Sequence, residues 1–159
     1  MKEIPLTQGK TALVDDCDFE ELSKNRWHAV KCSGKWYASR KVRLENGGRR
    51  CLYMHAQLMP GVSEIDHKDG NGLNNSRSEN LRPATHSQNM ANRQIQRNNT
   101  SGFRGVCRSL SRWRAYIVKD RARKYIGSFS TPEEGARAYD KVAKEFFGQF
   151  AQLNFSQDA

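Results

Sequence analysis

The chain has 159 residues, enough for one ordinary domain or two small ones and too few for a large core. Its 27 lysines and arginines against 17 acids give a formal charge of +10 and an isoelectric point near 9.7, which suits a polyanion such as nucleic acid or an anionic membrane surface without choosing between them. No run approaches the roughly 18 apolar residues of a spanning helix, and the opening M-K-E-I-P-L-T lacks the apolar stretch of a signal peptide, so a soluble, cytoplasmic protein is expected.

Residues 1–60 read as strand-rich: Thr11–Val14, Trp36–Val42 and Arg50–Met54, with turns at Ser33-Gly34 and Asn46-Gly47-Gly48 and a short helix over Asp18–Ser23. They form a small sheet that delivers the chain to His55. The four cysteines, at 17, 32, 51 and 107, have no C-x-x-C pair. That spacing argues against a structural zinc or a disulfide framework, and reduced, packing cysteines are expected.

From 63 to 97 the pattern becomes a short strand (Ser63–Asp66), a polar loop, a second strand (Asn80–Thr85) and a helix from His86 to about Gln96, capped by Thr85 or Ser87. His86, at the helix start, is expected to be exposed or capping. Arg97–Gly102, R-N-N-T-S-G, is all polar or Gly and reads as a linker centred on 98–102.

The last stretch, 103–155, reads as a second domain. Phe103–Ser109, Trp113–Lys119 and Lys124–Phe129 make three antiparallel strands, with Trp113, Ala115 and Ile117 alternating against Arg114, Tyr116 and Val118. Thr131-Pro132-Glu133-Glu134 opens a helix with an N-cap, a first-turn Pro and a capping-box Glu. Ala136, Tyr139, Val142, Ala143, Phe146 and Phe147 recur at helical spacing as its core stripe, and Gly148 ends it. Between Arg104 and Tyr125 stand eight Lys or Arg and one acid, Asp120. The cluster is either solvated surface or a sheet face that enters a DNA major groove, where Arg pairs with guanine edges.

Phosphodiester hydrolysis needs a base for water, a cation to neutralise the growing charge, and a frame that holds both. In I-D-H-K-D-G-N-G-L-N-N, Ile65–Asn75, His67 could be that base, with an ordinary pKa near neutrality. The neighbouring Asp66 supplies the hard oxygen that Mg2+ prefers, and an Asn amide oxygen could complete a sparse shell. Adjacent side chains of a strand point to opposite faces, so a bend near Gly70 and Gly72 is expected if both serve one site. Asp66-His67, Asn80-Leu81 and Gln88-Asn89, in that order, resemble the HNH endonuclease motif in the variant whose last His is Asn. The surrounding N-L-R-P-A-T and S-Q-N-M-A-N-R are similar to small phage and intron HNH homing endonucleases.

The resemblance implies a ββα-metal hairpin and helix over 63–97, within a nuclease domain of residues 1–97. It makes His67 the general base, Asp66 and Asn89 the ligands of one divalent metal, Mg2+ with Mn2+ as the alternative, and Asn80 the residue that holds the loop and orients His67. His55, in Y-M-H-A-Q-L-M, matches the segment that precedes the motif, with a structural or phosphate-contacting role favoured over direct catalysis. Ala56 replaces the family's Arg there, and the loop before Asn80 is one residue longer than usual.

The blocks F-R-G-V, W-R-A-Y-I, Y-I-G-S-F, T-P-E-E-G-A-R-A-Y-D and A-Q-L-N-F, over 103–155, resemble the plant ethylene-response-factor DNA-binding domain. That resemblance implies a three-stranded sheet on one helix that reads the major groove. Arg104 and Arg123 match contacting positions, Tyr125 stands where Trp is frequent, and Arg108 and Arg114 join them as DNA-binding candidates. Cys107, Ser109 and Val118 replace other contacting arginines. The expected whole is an α+β, metal-dependent DNA endonuclease of the homing type, phage-like, acting on double-stranded DNA as a monomer or weak dimer. Neither a membrane nor a small-molecule cofactor is expected. The alternative is a DNA-binding regulator whose HNH motif has decayed.

Overall fold

The computed structural model describes residues 1–93, 95 and 98–155. The architecture is α+β, with four small antiparallel sheets and four α-helices among the described residues. The chain divides into two compact units, residues 1–83 and 84–159, each with its own buried apolar cluster.

In the first unit β1 (Lys2–Pro5) pairs with β2 (Thr11–Val14), and α1 (Asp16–Ser23) follows. Strands β3 (His28–Cys32), β4 (Lys35–Arg43) and β5 (Arg49–Tyr53) form a meander, α2 (Met54–Leu58) follows directly, and β6 (Ile65–His67) pairs with β7 (Leu81–Pro83). The sequence reading lacks β1, β3 and α2. β1 is four residues with Lys, Glu and Pro among them, and β3 carries little β-branched signal. The Ser33-Gly34 turn nonetheless demands strands on both sides: its two residues take φ of 48° and 84°, the left-handed pair of a tight hairpin.

The core joins Ile4, Ala12 and Val14 of the first hairpin to Leu22, Trp27, Ala38, Met54, Leu58 and Leu81. Trp27 is 2% exposed, and its indole N–H donates to the Leu22 carbonyl at 2.9 Å, so burial leaves its polar atom satisfied. Alternation along β4 sends Ala38 into this core and turns Tyr37 and Ser39 to the other face.

In the second unit α3 (His86–Ala91) precedes β8 (Val106–Ser109), β9 (Arg112–Lys119) and β10 (Ala122–Phe129), a meander with β9 at its centre. Then come α4 (Pro132–Phe147) and a 3-10 turn at Gly148–Phe150. The Thr131 hydroxyl accepts from the Glu134 N–H and the Glu134 carboxylate accepts from the Thr131 N–H, the reciprocal cap the sequence predicts. Ala115 and Ile117 are buried against α4, and Val118 beside them is 57% exposed.

Within 98–102 the Asn99 amide and Ser101 hydroxyl donate to the Phe103 carbonyl, and Ser101 also donates to the Val106 carbonyl at 2.8 Å, so polar residues here serve as local partners of the backbone. Two expectations need correction. The helix expected to reach Gln96 ends at Ala91, with Asn92 as its cap; Gln94, Gln96 and Arg97 lie outside the described residues. The cysteines are free, but Cys17, Cys32 and Cys51 are exposed, so the packing role expected for them fails. Among the described residues no helix is long and apolar enough to cross a membrane.

Candidate active site and nucleic-acid interface

The loop between β6 and β7 is built from its own side chains. The Asn80 amide donates to the Asn74 carbonyl at 2.7 Å, and its oxygen accepts from the Asp69 N–H at 3.0 Å. Asp69 in turn accepts from the Asn71 N–H and the Asn74 amide, both at 2.8 Å. Gly70 supplies a left-handed φ of 71°. Gly72 is needed for another reason, since a Cβ there would lie 2.5 Å from the Trp36 carbonyl oxygen and from the Tyr37 ring. The loop also bonds to β2, through Leu13 N–H to the Leu73 carbonyl and Asn75 N–H to the Leu13 carbonyl. Farther on, the Ser76 and Ser78 hydroxyls donate to Asp15, whose carboxyl these bonds hold below its ordinary range against the effect of burial. The longer loop is thus absorbed as packed structure, with Asn75 and Ser76 fully buried.

Asp66 and His67 are both buried, at 3% and 7% exposure. The Arg82 Nε and Nη2 both donate to Asp66 Oδ2, at 2.8 and 2.7 Å, from the cross-strand position. His67 meets other neighbours. Its ring is 5.2 Å from the His55 ring, edge-on, and 5.9 Å from that of Tyr37, while Tyr53 stacks on His55 at 5.3 Å. The β6 strand therefore stays extended through both residues, and no bend is needed to bury them.

Burial lowers the His67 pKa; the Asp69 and Asp66 carboxylates and hydrogen bonding to Asn75 oppose that shift, and Lys35 adds to it. His55 is lowered to about 4, by burial first and by His67 second. Both imidazoles are thus biased toward the neutral form that can accept a proton. The buried Nδ1 of His55 has no hydrogen-bond partner among the described residues.

The structure brings Asp66, His67, Asn80 and His55 together within the first unit, and Asn89 lies on α3 in the second. His86 is exposed, and Thr85 accepts the cap hydrogen bond from Gln88. Sequence reasoning misses Arg82, Tyr37, Tyr53 and Asp69. Arg82 is within its reach, because the hairpin register alone sets it opposite Asp66.

Asp66 carries a hard carboxylate of the kind Mg2+ prefers, and its Oδ2 already accepts from Arg82. Among the described residues no three His, Cys, Asp or Glu side chains are grouped as a metal cluster.

On the outward face of β8–β9–β10, Arg114 and Tyr116 of β9 stand beside Arg123 and Tyr125 of β10. The Arg123 guanidinium lies 3.7 Å from the centre of the Tyr116 ring, and Tyr125 is 52% exposed. Arg112, not singled out from sequence, anchors here by donating twice to Ser128 at 3.0 Å. Arg108 is opposite Trp113 and so on the alternate face, over the Trp113 ring at 5.7 Å. Arg104 is half-buried. Burial lowers its pKa, partly offset by Tyr139 and Asp140, and its guanidinium donates to the Arg93 carbonyl. Arg114, Arg123 and Tyr125 form the open face, and Arg104 and Arg108 do not share it.

No family model matches the chain. It is 38% identical over 144 residues to a protein of Acanthamoeba polyphaga mimivirus named as an uncharacterized HNH endonuclease, a match covering 86% of this chain and 74% of that one. It is 36% identical over 91 residues to protein 3.8 of Escherichia phage T7, covering 56% of this chain and 74% of the phage protein. An ethylene-responsive transcription factor of Arabidopsis thaliana is 47% identical over 59 residues, which is 35% of this chain and only 23% of that factor. With the Asp66-His67 hairpin held by Asn80 and identity across most of both viral chains, the chain belongs to the HNH endonuclease family and carries a region similar to plant ethylene-responsive transcription factors.

Proposed function

We propose that the protein is a metal-dependent endonuclease of the homing type that hydrolyses a phosphodiester bond of double-stranded DNA. The observation that carries this reading is His67: a buried imidazole kept toward its neutral form, beside His55, at the end of a hairpin whose loop Asn80 fixes. Such a group takes the proton of the attacking water as the P–O bond breaks, without first losing a proton of its own. Asn80 positions His67 through the loop, and His55 offers its buried Nδ1 to a phosphate oxygen. Mg2+ or Mn2+, held by Asp66 and Asn89, would neutralise charge on the phosphate and the leaving oxygen.

In this reading residues 1–97 are the nuclease domain, with the hairpin and helix of 63–97 as its ββα-metal unit. Residues 103–155 bind DNA through the outward face of β8–β9–β10, where Arg114, Arg123 and Tyr125 are open; Arg104 and Arg108, the other DNA-binding candidates, would contact the duplex from outside that face. One site per chain favours nicking.

The test is purified protein with supercoiled plasmid, in Mg2+ and in EDTA. Wild type should nick only with the metal, and His67→Ala should bind normally yet cut about a hundred- to ten-thousand-fold more slowly. Equal cutting by both proteins would overturn the role of His67. Intact plasmid despite tight binding would make the protein a DNA-binding regulator with an inactive motif.

A further inference from the structure

We propose that the outward face of β3–β4–β5 is a second DNA-backbone surface, a row of cations on β4 and β5 that borders the His67 pocket and holds the duplex beside it. The inference rests on the nuclease reading for its purpose, but not for its geometry.

Alternation places Lys35, Tyr37, Ser39, Lys41 and Arg43 on one face of β4. The register adds Tyr53 opposite Ser39, Cys51 opposite Lys41 and Arg49 opposite Arg43. Tyr37 and Tyr53 are the rings that enclose His55 and His67. Along this face, therefore, Lys35 stands on one side of the pocket, with Lys41, Arg43 and Arg49 on the other. From Lys35 to Arg43 the strand spans roughly 26 Å at about 3.3 Å per residue, comparable to the rise of about eight base pairs.

The charges are arranged against the fold's own interest. Lys41, Arg43 and Arg49 are exposed and make no ion pair among the described residues. Arg43 and Arg49 sit directly opposite each other, where like charges destabilise a sheet. Between His28 and Tyr53 there are seven Lys or Arg and a single acid, Glu45. The opposite face shows what a structural cation looks like: Arg40 donates from Nε to the Gln57 oxygen at 2.9 Å and covers the Trp27 ring at 5.7 Å. A row of phosphates would relieve the repulsion of the outward row, and no group among the described residues does so.

The experiment uses full-length protein and a short random-sequence duplex in EDTA, so binding is read without cleavage. The triple variant Lys41→Ala, Arg43→Ala, Arg49→Ala should lower the slope of log K against log salt by about 2.7, at about 0.9 for each phosphate that is no longer neutralised. A control that removes equal charge from other exposed positions, Arg26→Ala, Lys141→Ala, Lys144→Ala, should change it far less. In the wild-type protein, where no substitution can disturb folding, the duplex should slow alkylation of Cys51, which lies opposite Lys41, and leave Cys17 on α1 reactive. Equal slopes for the two triple variants, or an unprotected Cys51, overturn the second surface. Protection of Cys51 in a protein that never nicks plasmid would overturn the nuclease reading alone, and nicking without protection would overturn only the second surface.

Discussion

Sheets β3–β4–β5 and β8–β9–β10 are both three-stranded meanders, each with a tight turn whose two central residues have positive φ, Ser33-Gly34 in one and Asp120-Arg121 in the other. Each buries an alanine of its central strand, Ala38 and Ala115, and each carries cations outward. They differ in what covers the outward face. In the second sheet Val118 and Tyr125 are more than half exposed and Arg123 lies over Tyr116 in the open. In the first, Gly72 of the motif loop packs against Tyr37, and His55 and His67 fill the end of the face beside Tyr53. Covering one end of a basic sheet buries two imidazoles and shifts their protonation. Leaving it open keeps cations ready for a long polyanion.

The strongest way to separate the two is to break one unit alone. Asp140, 7% exposed, accepts from the N–H groups of Asn154 and Phe155 and from the Asn154 amide, and Asn154 bonds to the Arg104 backbone in both directions. Asp140→Ala leaves several buried donors unsatisfied, at about 1–3 kcal/mol each, so a loss of about 4 kcal/mol is expected. Amide exchange in β8–β10 should become fast while that in β3–β5 holds. Equal loosening of both sheets would show that the two units do not fold independently.

The next effect belongs to the first unit and follows pH. His55 titrates at about 4 in the fold against an ordinary 6.5, so between those values the unfolded chain binds a proton that the native chain does not. Stability conferred by the neutral ring is complete above pH 6.5 and declines as pH falls toward 4, by up to about 3 kcal/mol at 1.36 kcal/mol per pKa unit. His55→Phe, which keeps an aromatic ring, should flatten that decline in β3–β5 and leave β8–β10 unchanged. An unaltered pH profile would assign the acid sensitivity to other groups. Gly72→Ala should cost about 2 kcal/mol through the overlap with Tyr37 and the Trp36 carbonyl, and should slow cleavage more than it weakens DNA binding. An alanine variant that cuts at the wild-type rate would mean the loop's approach to Tyr37 does not set the pocket.

The second sheet is the more legible in sequence. Its core is periodic, its helix begins with an explicit capping box, and its end is marked by Gly148, so the local signals and the tertiary packing agree. The first unit is legible mainly through its motif. Asp66, His67 and Asn80 can be read as chemistry, and the hairpin's register supplies Arg82. The ring of Tyr37, Tyr53 and His55 cannot, because it depends on which face of β4 meets a loop some 35 positions later in the chain. Arg104 shows the converse: its motif position says nothing of burial, and the fold half-buries its guanidinium beside Tyr139.

The smallest effect concerns what the open sheet reads. Arg123→Ala should reduce the slope of log K against log salt by about 0.9 if its guanidinium neutralises one phosphate, with cleavage at saturating DNA unchanged. Arg123→Lys then distinguishes a phosphate from a base. Lysine keeps the charge and should restore the slope. It lacks the planar fork that pairs with a guanine edge and lies over Tyr116 at 3.7 Å. If Arg123 touches only backbone, the lysine variant should bind all duplexes as wild type does. If it reads a base, the lysine variant should keep the salt dependence and lose preference at one position of the target, by about 1–3 kcal/mol. A slope unaltered in Arg123→Ala would remove this residue from the interface and leave Arg114 as the cation to test on that face.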